Sequence, residues 1–216
     1  MTSASPEPPP QAPPPGPPDP ATRVPLSEWS RYDLLCAAMF KVRGLLMVPL
    51  LVFLFLFRRW EWEFEPGIWA TGLTLFVLGV ALRTWCQTHM RYRLNIEHPL
   101  AVGGPYACIR NPVYIGNTLV IVALAVLCEL PWMVPVALVY AGLVYGFAVR
   151  FEEMRLLRRY GADYADYCAR VPRWIPRLGA RRAPAPAEPV SWRRAALVEW
   201  QCFLLLAIPI VKEALG

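Results

Sequence analysis

The residues best suited to chemistry fall into three clusters in the second half of the chain. The first is Gly103-Gly104-Pro105-Tyr106-Ala107-Cys108-Ile109-Arg110-Asn111-Pro112-Val113-Tyr114-Ile115-Gly116-Asn117. Pro112 suits the first turn of a helix, where its missing N–H costs nothing, and Asn111 suits the N-cap. A capped helix start, anchored at an interface by Arg110 and Tyr106, explains part of this pattern. It does not explain Tyr114, Gly116 and Asn117 together. Polar groups one turn inside an apolar run are costly unless they face a partner or a cavity. Gly116, with no side chain, lets a ligand or another helix reach the backbone.

The second cluster is Glu152-Glu153, directly after an uncharged stretch. Neighbouring carboxylates repel, and they sit at the helix end that disfavours anions. Either they pair locally with Arg155, Arg158 or Arg159 at helical spacing, or one turns inward to hold a cationic ligand group. The third is Tyr160-Gly161-Ala162-Asp163-Tyr164-Ala165-Asp166-Tyr167, followed by Val171-Pro172-Arg173-Trp174-Ile175-Pro176. Leu157, Tyr160, Tyr164, Tyr167 and Val171 repeat at 3-4-3-4 spacing and predict one helical stripe packed on the core. Their ring faces also attract cations. His98 before Pro99, and His89 beside Arg91 and Arg93, read as solvated loop histidines. Cys36, Cys86, Cys108, Cys128, Cys168 and Cys202 form no CxxC pair, so no zinc or iron–sulfur site is expected and no metal is assigned.

The elements that must position these residues follow from composition. Of 216 residues, 56% are hydrophobic and 18% charged, and the mean hydropathy is +0.34. Soluble domains average roughly 45–50% apolar and about 25% charged. Here the apolar excess falls into long uncharged runs, which excludes an ordinary soluble enzyme and predicts an all-α, polytopic membrane helix bundle. A spanning helix needs about 20 apolar residues, and four to five candidates follow. They are residues 34–57, 67–86, 113–130 and 130–149, with a last one at 195–211 that carries Glu199 and Pro209 and either spans or lies in the interface. The uncharged part of the first, Gly44–Phe57, covers only about 21 Å, so Lys41 and Arg43 must snorkel toward one interface. The third and fourth, separated only around Pro131, predict a tight antiparallel hairpin packed on itself.

Residues 1–27 read as a disordered proline-rich tail, since 11 of the 24 prolines lie in the first 25 residues. Residues 28–216 form one membrane domain whose motif-bearing part is 65–177. The net charge is +6, yet no nucleic-acid-binding module is present, and the arginines beside apolar runs predict contact with lipid headgroups. The segment from Arg150 to Arg194 holds eleven arginines against five acids. Positive loops stay in the cytoplasm. That predicts a cytoplasmic N-terminus and puts loop 83–112 and segment 150–194 together on the cytoplasmic side.

The ordered set Gly104-Pro105-Tyr106, Arg110-Asn111-Pro112-x-Tyr114-x-Gly116, Glu152-Glu153-x-x-Leu156, Tyr160-Gly161-x-x-Tyr164-x-x-Tyr167 and Val171-Pro172-Arg173-x-x-Pro176 resembles the isoprenylcysteine carboxyl methyltransferases. More broadly it resembles the integral-membrane phospholipid methyltransferases, over residues 65–177. Leu82-Arg83-x-Trp85 fits as well. The resemblance implies S-adenosylmethionine bound on the cytoplasmic side. The residues it implies for the cofactor are Tyr106, Arg110, Asn111, Tyr114, Gly116, Glu152 and Glu153, with Arg110, Glu153 and Arg173 as catalytic residues. It further implies a lipophilic acceptor, either an isoprenylcysteine-type carboxylate or a lipid amine. The isoprenylcysteine enzymes usually carry His where this chain has Asn111. Two other readings stay open. The segment Arg159-Tyr160-Gly161 to Pro172 is also similar to the NADPH-dependent membrane sterol reductases, and a non-enzymatic membrane scaffold accommodates the same packing.

Overall fold

A computed structural model of the protein describes residues 29–60, 66–90, 100–177 and 191–215. The proline-rich tail, Arg91, Arg93 and His98 lie outside the described residues. All regular elements among the described residues are helical. α1 (Arg31–Leu56) opens on a capping box: the Asp33 N–H donates to Ser30 Oγ at 3.1 Å, and the Ser30 N–H donates to Asp33 Oδ2 at 3.2 Å. On α2 (Pro66–Met90) the exposed Thr71 and Thr74 satisfy their hydroxyls by donating to the Gly67 and Ala70 carbonyls, each at 2.7 Å. A single turn, α3 (Pro105–Cys108), precedes α4 (Pro112–Leu127). A 3₁₀ turn, Pro131–Met133, leads into α5 (Val134–Tyr160), and α6 (Ala162–Arg170) follows. The C-terminal segment is broken into α7 (Trp192–Val198), α8 (Trp200–Leu204) and α9 (Ala207–Ala214).

Among the described residues three stretches are long and apolar enough to cross a bilayer: Arg31–Leu56, Pro66–Met90 and Pro131–Tyr160. The C-terminal segment makes a fourth if its two parts, bent by 44°, are one span. α4, with 16 residues, is shorter than the expected run 113–130. It nevertheless lies against α2 over most of its length, because glycines on both helices let the backbones meet. A Cβ on Gly72 would stand 2.6 Å from Leu127 Cγ, and one on Gly79 would stand 2.9 Å from the Gly116 carbonyl oxygen. The expected hairpin between α4 and α5 exists as a turn, closed by the Leu130 N–H donating to the Ala125 carbonyl at 3.0 Å. Its packing differs from expectation, since α4 leans more on α2 than on α5. The reason is where the glycines lie: a methyl group on Gly142 or Gly146 of α5 would meet nothing within 4 Å, so these two bring no helix close.

The course of the C-terminal segment follows from two buried side chains. Glu199, at the break between α7 and α8, accepts from Arg83 Nε at 2.6 Å and from Gln87 Nε2 at 2.7 Å, both on α2. Lys212 donates from Nζ to the Cys128 carbonyl at 2.7 Å, at the far end of α4. Thirteen residues separate these anchors, about 20 Å of helix. On α2, Arg83 and Gly72, which touches Leu127, are about 16 Å apart. The segment is therefore tied to the Arg83 end of α2 through Glu199 and to the far end of α4 through Lys212.

Candidate functional site

The ends of α2, α5 and the beginning of α4 meet at one face of the bundle, and the three sequence clusters converge there. Gly104 makes the approach possible. Its φ is +57°, and a Cβ at that position would lie 2.3 Å from the His89 ring. His89 is thus half-buried against Gly104, with Nδ1 within 3.2 Å of the Trp85 carbonyl, rather than free in a solvated loop. α3 then turns Tyr106 inward, and its carbonyl accepts the Tyr167 hydroxyl at 2.7 Å. Beyond α3 the chain runs extended beside residues 172–177. The Arg110 N–H donates to the Pro172 carbonyl at 2.9 Å, and the Arg177 N–H donates to the Cys108 carbonyl at 3.0 Å.

This backbone pairing places two arginines on one carboxylate. Arg173 donates from Nε to Glu153 Oε1 at 3.0 Å and from its terminal nitrogen to Glu153 Oε2. Arg110 lies 3.2 Å from Glu153 Oε1, and the same nitrogen is 3.0 Å from Cys168 Sγ. The Glu153 hydrogen bonds hold Arg173 above the usual guanidinium pKa. Glu153 is buried, whereas the Arg173 side chain keeps 40% of its surface exposed. Arg110 Nε is buried with no acceptor among the described residues. Glu152 points elsewhere, since successive helical residues diverge by 100°. It accepts the Tyr114 hydroxyl at 3.0 Å, and the Tyr114 ring lies 5.0 Å from that of Tyr145. The adjacent acids thus face different partners, Glu153 the arginines Arg110 and Arg173 and Glu152 the Tyr114 hydroxyl, rather than sharing one local arginine cluster.

Two further expectations change in detail. Asn111 is the N-cap of α4 but makes no side-chain capping bond; its Nδ2 reaches toward the Arg173 carbonyl at 3.5 Å. The predicted stripe is broken by Gly161, whose φ is +52°, so α5 and α6 are separate helices. Tyr164, Tyr167 and Val171 are buried together, with Leu156 and Tyr160 against them, while Leu157 faces outward. Burial pushes the Tyr164 and Tyr167 phenols up, and the Glu153 carboxylate pushes in the same direction. Gly116 faces α2, where the space above it is taken by the Gly79 carbonyl and the Arg83 stem.

An apolar cavity of about 390 Å³ opens beside the site, bounded by Ile115, Thr118, Leu138, Gly142, Gly146 and Trp174. Its walls continue the site's own helix faces. Ile115 and Thr118 follow Asn111 at i+4 and i+7 on α4. Gly146 precedes Glu153 by seven residues on α5, about 10 Å along the same face. Sequence reasoning missed this groove, and it missed Cys168 and the Arg83–Glu199–Gln87 cluster. Opposite charges in separate apolar runs, Arg83 and Glu199, were the available signal, because ionisable residues inside a membrane span pair with one another.

Comparison with known proteins adds an independent line. The phospholipid methyltransferase family pattern matches residues 68–163. A cobalt-zinc-cadmium resistance protein of Cupriavidus metallidurans is 33% identical over 133 residues, 59% of this chain and 59% of that protein. A nickel-cobalt-cadmium resistance protein of Alcaligenes xylosoxydans xylosoxydans is 32% identical over 127 residues, 57% of this chain and 58% of its own length. Protein-S-isoprenylcysteine O-methyltransferase B of Arabidopsis thaliana is 30% identical over 133 residues, 54% of this chain and 66% of that enzyme. The chain spans less than two thirds of each of these relatives. No solved structure matches it.

Proposed function

We propose that the chain, whose residues 68–163 match the phospholipid methyltransferase family pattern, is an S-adenosylmethionine-dependent methyltransferase acting on a lipophilic acceptor at the cytoplasmic membrane face. The observation that carries this reading is the Glu153 clamp. Arg110 and Arg173, 63 positions apart in sequence, meet on one buried carboxylate beside an apolar groove.

The donor set fits the cofactor. Arg110, whose Nε is buried without an acceptor, and the Asn111 amide suit a carboxylate. Glu152 suits an ammonium, since both Glu153 oxygens are already taken by Arg110 and Arg173, and the rings of Tyr106 and Tyr114 suit an adenine or a sulfonium. When bound, S-adenosylmethionine supplies an activated methyl group for in-line displacement. The chain's residues align and exclude water rather than bond covalently. Glu153 fixes both guanidinium planes. Two arginines against one carboxylate leave one positive charge, on the half-exposed Arg173, which favours an anionic acceptor such as a carboxylate. A carboxylate needs no base. A lipid amine would have to lose a proton, and the Tyr114–Glu152 pair is the group placed to take it. The acceptor's apolar part lies over Gly146 and Gly142, entering sideways from the bilayer.

The test is calorimetric titration of the detergent-purified protein with S-adenosylhomocysteine, with NADPH as control. Saturable binding of the first alone is expected. Binding of NADPH alone would move the chain to the reductases. Binding of neither to a demonstrably folded sample would leave a membrane scaffold.

A further inference from the structure

A second polar surface lies on the opposite side of α5, away from Glu153. Phe151, Arg155 and Arg158 recur at i, i+4 and i+7 and so share one face of that helix. α1 packs there, and Trp29 precedes it. The Phe151 ring lies 5.0 Å from Phe40 and 5.9 Å from Trp29. Three guanidiniums rest on this aromatic patch. Arg43 lies 3.9 Å over Phe40, and its terminal nitrogen donates to the Phe40 carbonyl at 2.6 Å. Arg158 lies 4.6 Å over Trp29. Arg155 lies 6.0 Å from Phe40 and 5.9 Å from Phe151.

No carboxylate among the described residues neutralises these three arginines, since the ion pairs there belong to Arg83, Arg110 and Arg173. Asp33, the acid of α1, is engaged in the Ser30 capping box. The Trp29 indole N–H is buried and has no acceptor among the described residues. Helical side chains lean toward the N-terminus. Arg43 therefore reaches back from the apolar run beginning at Gly44 toward the interface where Arg155 and Arg158 emerge. The result is a cluster of three positive charges and one unanswered N–H donor, on flat aromatic supports, next to the apolar run of α1.

We propose that this α1–α5 patch is a binding site for the phosphate of an anionic phospholipid in the leaflet at the Glu153 face. The guanidiniums supply forked donors to the phosphate oxygens. The aromatic rings hold them there without a neutralising acid, and the apolar face of α1 receives the acyl chains. A zwitterionic lipid satisfies the site less well, because its own ammonium meets three arginines and no acid.

The experiment is native mass spectrometry of the full chain in detergent, titrated in parallel with phosphatidylglycerol, phosphatidylcholine and inorganic phosphate. At least tenfold preference for phosphatidylglycerol over phosphatidylcholine is expected, with no retention of free phosphate. Arg155 and Arg158 are exposed, so Arg155→Gln/Arg158→Gln should fold normally and lose that preference. Arg193→Gln/Arg194→Gln, a control of equal charge change elsewhere, should keep it. Equal affinity for both lipids in the wild type would overturn the proposal, as would equal loss in both variants. Tight binding of free phosphate would replace the lipid with a soluble anion. None of these readouts depends on methyl transfer.

Discussion

Among the described residues two carboxylates are buried against arginines, and the two clusters are built to different ends. Glu199 is 1% exposed: Arg83, Gln87 and Cys202 occupy its oxygens, and the Arg83 side chain keeps only 19% of its surface exposed. Glu153 is buried too, but one of its arginines, Arg173, stands 40% exposed beside an open groove. The first cluster ties the C-terminal segment to α2 and has no room for a ligand. The second is a clamp with one open side. A buried ion pair alone does not mark a functional site; an incompletely enclosed one is the stronger sign.

The largest effect expected from this contrast is on stability. Removing one partner of an enclosed pair strands the other charge and costs about 3–5 kcal/mol, whereas replacing both with apolar residues is close to neutral. Arg83→Met and Glu199→Leu should each lower the unfolding midpoint in detergent sharply, and the double variant should recover most of the loss. Equal stability in the singles and the wild type would mean that the C-terminal segment is held by packing alone. A smaller loss, about 1–3 kcal/mol, is expected for Gly116→Ala, whose Cβ would stand 2.7 Å from Arg83 Cγ and 3.0 Å from the Gly79 carbonyl. Gly146→Ala has nothing within 4 Å, so it should be neutral or slightly stabilising through helix propensity. If both glycine variants behave alike, the close approach of α2 and α4 is wrong.

The open clamp should respond in binding more than in folding. Glu153→Gln is expected to weaken S-adenosylhomocysteine binding at least tenfold, about 1.4 kcal/mol. Its unfolding midpoint should move less than that of Glu199→Leu, because Arg173 can turn to water. Unchanged affinity would remove Glu153 from the site.

The sequence made the open cluster readable and left the closed one dark. Arg110, Glu153 and Arg173 lie in dense motifs, where polar residues break the helical pattern in ways that packing does not require. Arg83 and Glu199 are single charges in apolar runs, 116 positions apart. Each reads as a defect in a marginal span, and no local spacing links them. The apolar runs located α1, α2 and α5, because the bilayer imposes length and composition directly. Periodicity failed at Gly161: the 3-4-3-4 count passes through it, but a glycine at φ +52° turns the chain and lets Leu156 pack where Leu157 was expected. The groove was unreadable for a different reason. It is made by what Gly142 and Gly146 lack, and the pattern of a sequence does not say whether a glycine is filled by a neighbour or left open.

The smallest effect concerns the tyrosines that back the open clamp. Tyr167 donates to the Tyr106 carbonyl at 2.7 Å, and both residues are buried. Burial raises the pKa of Tyr167 and of Tyr164, so the folded chain keeps phenol protons that the unfolded chain releases near the ordinary value of about 10. Their contribution is therefore fully present below about pH 10 and is lost as the pH climbs above it, because there the folded state binds more protons than the unfolded one. Tyr167→Phe should cost about 1 kcal/mol at neutral pH by removing the hydrogen bond. It should also reduce, without abolishing, the alkaline loss, since Tyr164 still titrates. The measurement is the unfolding midpoint in detergent from about pH 7 to 11. Glu199→Leu should start lower and fall with the wild-type slope. A Tyr167→Phe slope identical to wild type would place the alkaline loss elsewhere and separate these tyrosines from the stability of the Glu153 end.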